Sequence, residues 1–517
     1  MAAKIGKYIS QFTLVLLLFV LVILPLLLLI IQWLTGADKA VLLSFISRET
    51  LLLVSKSLLL SSVAAFLATV IGTVCALLLY KFRLLFSGFF KAALLLPLFV
   101  SPYIFAVAWK DGFYWVFGNT AAFYSVAGVI LVHTLVFFPL TMLITGSALS
   151  RVHAGYEEAG FMIVSFRKML FKILLPLIRP ALTISFLLVL IFSLSDFSVP
   201  AFFGVNTFTI EVFTQFSAFY NYQLAIGQSV LLLVLCLFLM LAEIRYLSDA
   251  PFFSVDIRGS VSKRYDVEKQ LIFHAVLSVI LFIALLLPVF MLVIQSLSGR
   301  MLFFEQAWEL IGPAAFQSVK VAFTGALLVT ATGLWAAWMQ ERRQFRLPGL
   351  LLLFSFIVPS TVLGIAFIRH FNTPSLNFIY GSVLILLITY LARFGFIASR
   401  IIGNGIKQVP ASFEDAARIM GISPATRFYR ITLPLLFPAL FTTFVLSFVL
   451  CLGELGTAIM VYPPGTELMP VKIFTISANA PQALTSSMTL INFAVVLVFI
   501  LVFLFIGKII FKKFQYV

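Results

Sequence analysis

Charge is scarce in this chain. Asp, Glu, Lys and Arg make up 10% of its 517 residues, where a soluble domain carries about 25%. A surface so poor in charge cannot all face water. Cysteine is scarcer still: Cys75, Cys236 and Cys451 each sit in an apolar stretch, with no C-x-x-C pair. That excludes a disulfide framework and a zinc site, and leaves small packing residues. The four histidines, His133, His153, His274 and His370, are scattered without metal-ligand spacing. No G-x-x-x-x-G-K-[ST] phosphate loop occurs, since Gly507-Lys508 lacks the preceding glycine. H-E-x-x-H and G-x-S-x-G are absent too. No catalytic residue, metal or cofactor is therefore expected, and the chain is expected not to be an enzyme.

What is abundant is apolar: 62% of the residues. They come in long runs. A helix rises about 1.5 Å per residue, so roughly 20 apolar residues cross a 30 Å hydrocarbon layer. Twelve spans are expected, near 12–34, 51–80, 90–110, 124–147, 181–204, 225–246, 269–297, 317–340, 349–370, 377–400, 438–461 and 486–510. The first is too long for the apolar part of a signal peptide and no small-residue cleavage site follows, so it reads as a retained helix.

Orientation follows from where the 35 Lys and Arg residues fall. With the N-terminus in the cytoplasm, only Lys39, Arg48, Lys110, Arg300, Arg369 and Lys472 lie in outer segments or at the outer ends of spans, and Lys56, Lys320 and Arg393 lie well inside spans. The rest are inside, and both termini are expected in the cytoplasm. The net charge of +16 thus reports topology. With no basic face or aromatic RNA-binding pattern, nucleic acid is not an expected partner.

The chain is also a duplication. EEAGFMIVSFRKMLFKILLPLIRPA at 157–181 aligns without a gap on DAARIMGISPATRFYRITLPLLFPA at 415–439. Ile173, Leu175, Pro176, Pro180 and Ala181 fall on Ile431, Leu433, Pro434, Pro438 and Ala439. The register carries Asp196 onto Glu454 inside the next span. Ser57 and Gly72 align more loosely with Ser318 and Gly333, and Pro102 with Pro359. Six spans per copy make a parallel repeat. The expected division is a first repeat at 1–246, a polar cytoplasmic linker at 247–268 and a second repeat at 269–517.

EDAARIM at 414–420 is a run of good helix formers, so a short helix is expected there. Gly421 then fits a left-handed helix end and Pro424 a helix stop. The order E-A-A, three residues, G, nine residues, I-x-L-P is the signature of ABC importer permeases. The second copy carries it as Asp415, Ala416, Ala417, Gly421, Ile431, Leu433 and Pro434, with Glu414 just before. The first carries Glu157 and Ala159, but Glu158 replaces an alanine and Ile163 the glycine. With S-D-F-S-V-P-A at 195–201, G-V-N-T-F-T at 204–209, G-E-L-G-T-A at 453–458 and Y-P-P-G-T-E at 462–467, the chain resembles the fused permeases of the ferric-iron transport group. Thiamine, polyamine, sulfate and phosphonate permeases are their relatives.

The resemblance implies an all-α membrane protein with the type I importer permease fold, twelve helices in two parallel repeats. It implies a bacterial inner membrane, two copies of a cytoplasmic ABC ATPase, and a periplasmic or lipoprotein solute-binding protein. ATPase docking would fall to Glu157, Glu158, Ala159, Glu414, Asp415, Ala416, Ala417 and Gly421. The implied function is ATP-driven import by alternating access, of ferric iron first, with thiamine or an organophosphonate as the alternative. An ion-driven carrier needs no such docking helix. Asp196 and Glu454 are pathway candidates. Acids at that depth serve either as hard oxygen ligands for a passing cation or as acceptors for neighbouring helix ends that hold a gate closed.

Overall fold

In a computed structural model of the chain, the residues described are 12–36, 47–119, 123–247, 265–266, 270–298 and 300–514. Most of the linker expected at 247–268 lies outside them, as do Lys39 and the chain ends. All regular structure among the described residues is helical, apart from one isolated bridge between Phe82 and Tyr265.

The first half comprises α1 (Phe12–Thr35), α2 (Arg48–Lys81), α3 (Ser87–Ala93), α4 (Pro102–Phe117), α5 (Val126–Arg151), α6 (Ala154–Ile163), α7 (Arg179–Ser195), α8 (Ser198–Phe202), α9 (Phe208–Ser217) and α10 (Tyr222–Leu247). The second comprises α11 (Gln270–Ser298), α12 (Arg300–Arg343), α13 (Leu347–Ile357), α14 (Ser360–Phe371), α15 (Leu384–Gln408), α16 (Ala411–Ile419), α17 (Leu433–Gly453), α18 (Ala458–Val461), α19 (Met469–Ser477) and α20 (Gln482–Phe514).

Among the described residues, nine helices are long and apolar enough to cross a membrane, or twelve if each of three bent pairs is one span. Two bends are sharp and sit at equivalent places: 96° between Ser87–Phe99 and Pro102–Tyr114, and 107° between α13 and α14. Ion pairs show that these pairs do cross. Lys81, at the end of α2, pairs with Glu157 of α6. Arg342, at the end of α12, pairs with Glu414 of α16. Only the bent pair and one straight span, α5 or α15, separate the partners in each half. Two crossings bring the chain back to the same side; one would not. The third bend, 63°, precedes α7 at Ile178, just before Pro180.

Proline shapes the spans in a repeated way. Phe19–Ile23, Leu170–Leu174, Phe282–Leu286 and Phe428–Thr432 are π-helical turns, and each runs directly into a Leu-Pro pair: Pro25, Pro176, Pro288 and Pro434. Proline lacks an N–H and its ring crowds the carbonyl four residues back; a wider turn accommodates both.

The halves exchange their first spans. α1 packs on α14 and α10, while α11 packs on α4 and α20. Within each half the tightest pairs are α2 on α5 and α12 on α15. Glycine permits them: a Cβ at Gly72 would lie 1.7 Å from Thr141 Oγ1, and one at Gly333 2.6 Å from the Ala398 Cβ. Ser57 and Ser318 also act alike, accepting the N–H of Phe208 (2.8 Å) and of Met469 (2.7 Å).

These contacts predict that Gly72→Ala costs at least about 2 kcal/mol through overpacking. Gly88→Ala, with nothing within 4 Å of the added carbon, should be neutral. Thermal unfolding of the purified chain in lipid nanodiscs measures both; equal midpoints would contradict the packing.

Candidate functional site

Where a span stops inside a membrane, the N–H groups of the next helix have no water to bond. Asp196 ends α7 in an extended conformation, and its carboxylate turns to the start of α8. Oδ1 accepts from Ser198 N (3.2 Å) and Ser198 Oγ (2.7 Å), and Oδ2 from Val199 N (3.1 Å). Glu454 does the same at the end of α17. Oε1 accepts from Thr457 N and Oε2 from Ala458 N, both at 2.9 Å. Of the two uses expected for these acids, the hydrogen bonds are those of helix-end acceptors.

Both acids nevertheless line one cavity of about 120 Å³ between the halves. Each faces a basic side chain from the straight span of its own half, α5 or α15. His133 of α5 places Nε2 3.0 Å from Asp196 Oδ2, with Nδ1 2.8 Å from Ser193 Oγ. Arg393 of α15 places Nε 3.9 Å from Glu454 Oε1, and its Nη1 donates to the Val358 carbonyl (3.3 Å). Ser360 Oγ closes the seam between halves by donating to the Ser195 carbonyl (2.8 Å). From the sequence, His133 is one of four scattered histidines and Arg393 only a charge inside a span. The signal was there: an arginine deep in an apolar helix faces the interior and has a partner.

Aromatic layers lie on both sides of this cavity. Toward the motif helices, Phe137, Phe192, Phe356 and Phe396 follow one another at ring separations of 5.6, 5.5 and 5.4 Å. Beyond them lies a second cavity, of about 480 Å³, lined by Phe396 and by polar groups of α12 and α15. On the far side Tyr103 meets Phe474 (5.0 Å) and Phe202 (5.3 Å), and its hydroxyl bonds Ser477 across the halves.

The motif helices lie away from the acids, on one face of the molecule. Glu157 is fully buried, paired with the buried Lys81, and accepts the Tyr265 hydroxyl at 2.5 Å. Burial and the Glu157 carboxylate push the Tyr265 phenol up, so it stays protonated and donates. Glu414 is half-buried, 3.2 Å from Arg342 Nη2 and 3.3 Å from Thr432 Oγ1. Glu158, Asp415, Ala416 and Gly421 are exposed, and Ala417 is buried. Ala159 lies on α6.

By their contacts Glu157 and Glu414 are counterparts, so the ungapped alignment of Glu157 with Asp415 is shifted by one residue. The second copy takes up the extra residue in its turn, where Gly421 has φ +74° and Ile422 N reaches back to the Ala417 carbonyl (3.1 Å). Around the motif, apolar side chains stand in the open: Met162 is 88% exposed, Ile419 87% and Met420 77%.

Comparison with known proteins agrees with this duplicated layout. Residues 68–245 and 329–516 each match the model of the family described as binding-protein-dependent transport system inner membrane component. The Fe(3+)-transport system permease protein FbpB 2 of Haemophilus influenzae is 24% identical over 479 residues, 90% of this chain and 92% of that protein. The ferric transport system permease protein FbpB of Actinobacillus pleuropneumoniae is 26% identical over 450 residues, 80% of this chain and 65% of that protein. A putative 2-aminoethylphosphonate transport system permease protein PhnV of Salmonella paratyphi A is 27% identical over 194 residues, 37% of this chain and 71% of that protein.

The two motif glutamates should differ in weight. Glu157→Gln removes the counter-charge of a buried lysine and should cost about 3–5 kcal/mol. Glu414→Gln breaks a partly solvated pair and should cost under about 1 kcal/mol. Unfolding midpoints of the two variants compare them, and equal losses would contradict the assignment.

Proposed function

The chain belongs to the family of binding-protein-dependent transport system inner membrane components, and on that premise we propose that it carries ferric iron inward, powered by a separate ABC ATPase. It is a multi-pass permease, built as two fused copies of the family's unit. The proposal beyond this is that two ATPase subunits dock on α6 and α16 from the cytoplasm, and that a solute-binding protein delivers substrate on the opposite face.

One observation carries the docking: the two short helices and the turn after α16 present bare apolar side chains, Met162, Ile419 and Met420, outside the apolar spans. Apolar side chains bared together on short helices outside the spans support a protein contact there. The excess of Lys and Arg on the same face supports placing it in the cytoplasm. Glu157 ties α6 to the end of α2, and Glu414 ties α16 to the end of α12. α2 packs on α5 and α7, and α12 on α15 and α17. A pull on a docked helix therefore reaches the helices bearing His133, Asp196, Arg393 and Glu454. This is the linkage that alternating access requires: one aromatic layer parts while the other closes.

Iron is the leading substrate because two of the relatives that span most of this chain are named as ferric permeases. An organophosphonate is the second reading, supported by the phosphonate permeases that match part of it.

The test is co-purification with an ABC ATPase from the same genome. The permease alone should hydrolyse no ATP; the complex should, and more so with the binding protein in a membrane. Gly421→Val, forced into a left-handed turn that β-branched residues avoid, should insert normally but lose ATPase association or coupling. Hydrolysis by the chain alone, or normal association and transport by Gly421→Val, would sink the proposal.

A further inference from the structure

The acids that line the central cavity are already engaged. Asp196 accepts from Ser198, Val199 and His133, and Glu454 from Thr457 and Ala458. The polar atoms without a partner are different ones: Arg393 Nε, Ser101 Oγ and Ser195 Oγ. All three residues line the same cavity, and they are only 9%, 3% and 2% exposed. Buried polar groups nearly always find a partner. Three that fail to do so around one space describe what that space accepts.

All three can donate, and the guanidinium can only donate. A guanidinium edge offers N–H groups in a plane that matches carboxylate and phosphate oxygens, and hydroxyls add further donors. Glu454, at 3.9 Å from Arg393 Nε, balances the charge without a hydrogen bond. The N–H is therefore left for a ligand, and the nearby carboxylate keeps an anion from binding too tightly to leave. The theme continues along α15. Arg393, Arg400 and Lys407 recur every seventh residue, which places them on one stripe of the helix. Arg400 and Lys407 line the motif-side cavity together with Arg346. The inward bias of basic residues would put Lys407 and Arg346 near that face in any case, so the weight rests on Arg393 and the two serines.

We propose that the central cavity is an oxyanion waypoint, with Arg393, Ser101 and Ser195 as its binding groups. The substrate crosses bearing carboxylate, phosphate or phosphonate oxygens. This rests on the permease reading and deepens it: a ferric ion crosses inside a shell of anionic oxygen ligands, not as a bare cation held by Asp196 and Glu454. A phosphonate satisfies the same site directly, whereas the cation thiamine does not.

The test uses the full-length chain in lipid nanodiscs, with methylphosphonate and phosphate as probe anions, thiamine as probe cation, and chloride at matched ionic strength. Both oxyanions should raise the unfolding midpoint by roughly 2 °C or more over chloride, and thiamine should not. Arg393→Gln should abolish the rise, Arg393→Lys should keep part of it, and Ser101→Ala with Ser195→Ala should reduce it. If Arg393→Gln does not fold, the lysine and double-alanine variants decide. An equal rise in those variants, no rise beyond chloride in the wild type, or stabilisation by thiamine would overturn the site. In cells with the ATPase and binding protein, Arg393→Gln should cut iron uptake about tenfold while ATPase association persists; unchanged uptake would also overturn it. Failure of the wild type to accumulate iron overturns the iron reading alone, and the nanodisc result still judges the waypoint.

Discussion

A helix that breaks inside a membrane leaves N–H groups that must be satisfied from within the protein. Asp196 and Glu454 meet that demand, each bonding the first N–H groups of the short helix that follows it. The rest of the centre is arranged around the two breaks. An acid buried at that depth needs a partner, and α5 supplies His133 while α15 supplies Arg393. Capped breaks let α7 end against α14 of the other half, with the seam closed by Ser360 on the Ser195 carbonyl.

Duplication gives the architecture, and departures from symmetry give the properties. Ser57 and Ser318 perform one task in both halves, and so do the π-helical turns before Pro176 and Pro434. The basic partners differ: imidazole in one half, guanidinium in the other. The motif helices differ as well. α6 is anchored by a buried Lys81–Glu157 pair that Tyr265 also touches, and α16 by the more solvated Arg342–Glu414 pair. A fused chain can hold such differences, since its two halves vary independently.

Much of this was legible in the sequence because it rests on composition and periodicity. Apolar runs placed the spans, and shared Leu-Pro pairs and the Asp196–Glu454 match exposed the repeat. The positive φ at Gly421 follows from its place after a run of helix formers. What stayed hidden depends on contacts distant in sequence. Nothing local says that α1 packs on the opposite half, or that Arg393 reaches Glu454. The sharp bends before Pro102 and Ser360 read as continuous apolar spans, because an apolar run carries no mark of direction. The motif register slipped because matching letters outweighed the ion pairs that equate Glu157 with Glu414.

The central claim is that one pathway runs between the halves through the cavity behind Asp196 and Glu454. The most direct measurement uses Ser195→Cys in a chain whose Cys75, Cys236 and Cys451 are replaced by alanine, assembled with the proposed ABC ATPase. Its reaction with a membrane-impermeant thiol reagent is followed from each side, with and without ATP trapped. The account predicts that trapping speeds reaction from the face opposite the motif helices and slows it from the motif face. Equal rates in both states, or a change of the opposite sense, would contradict it.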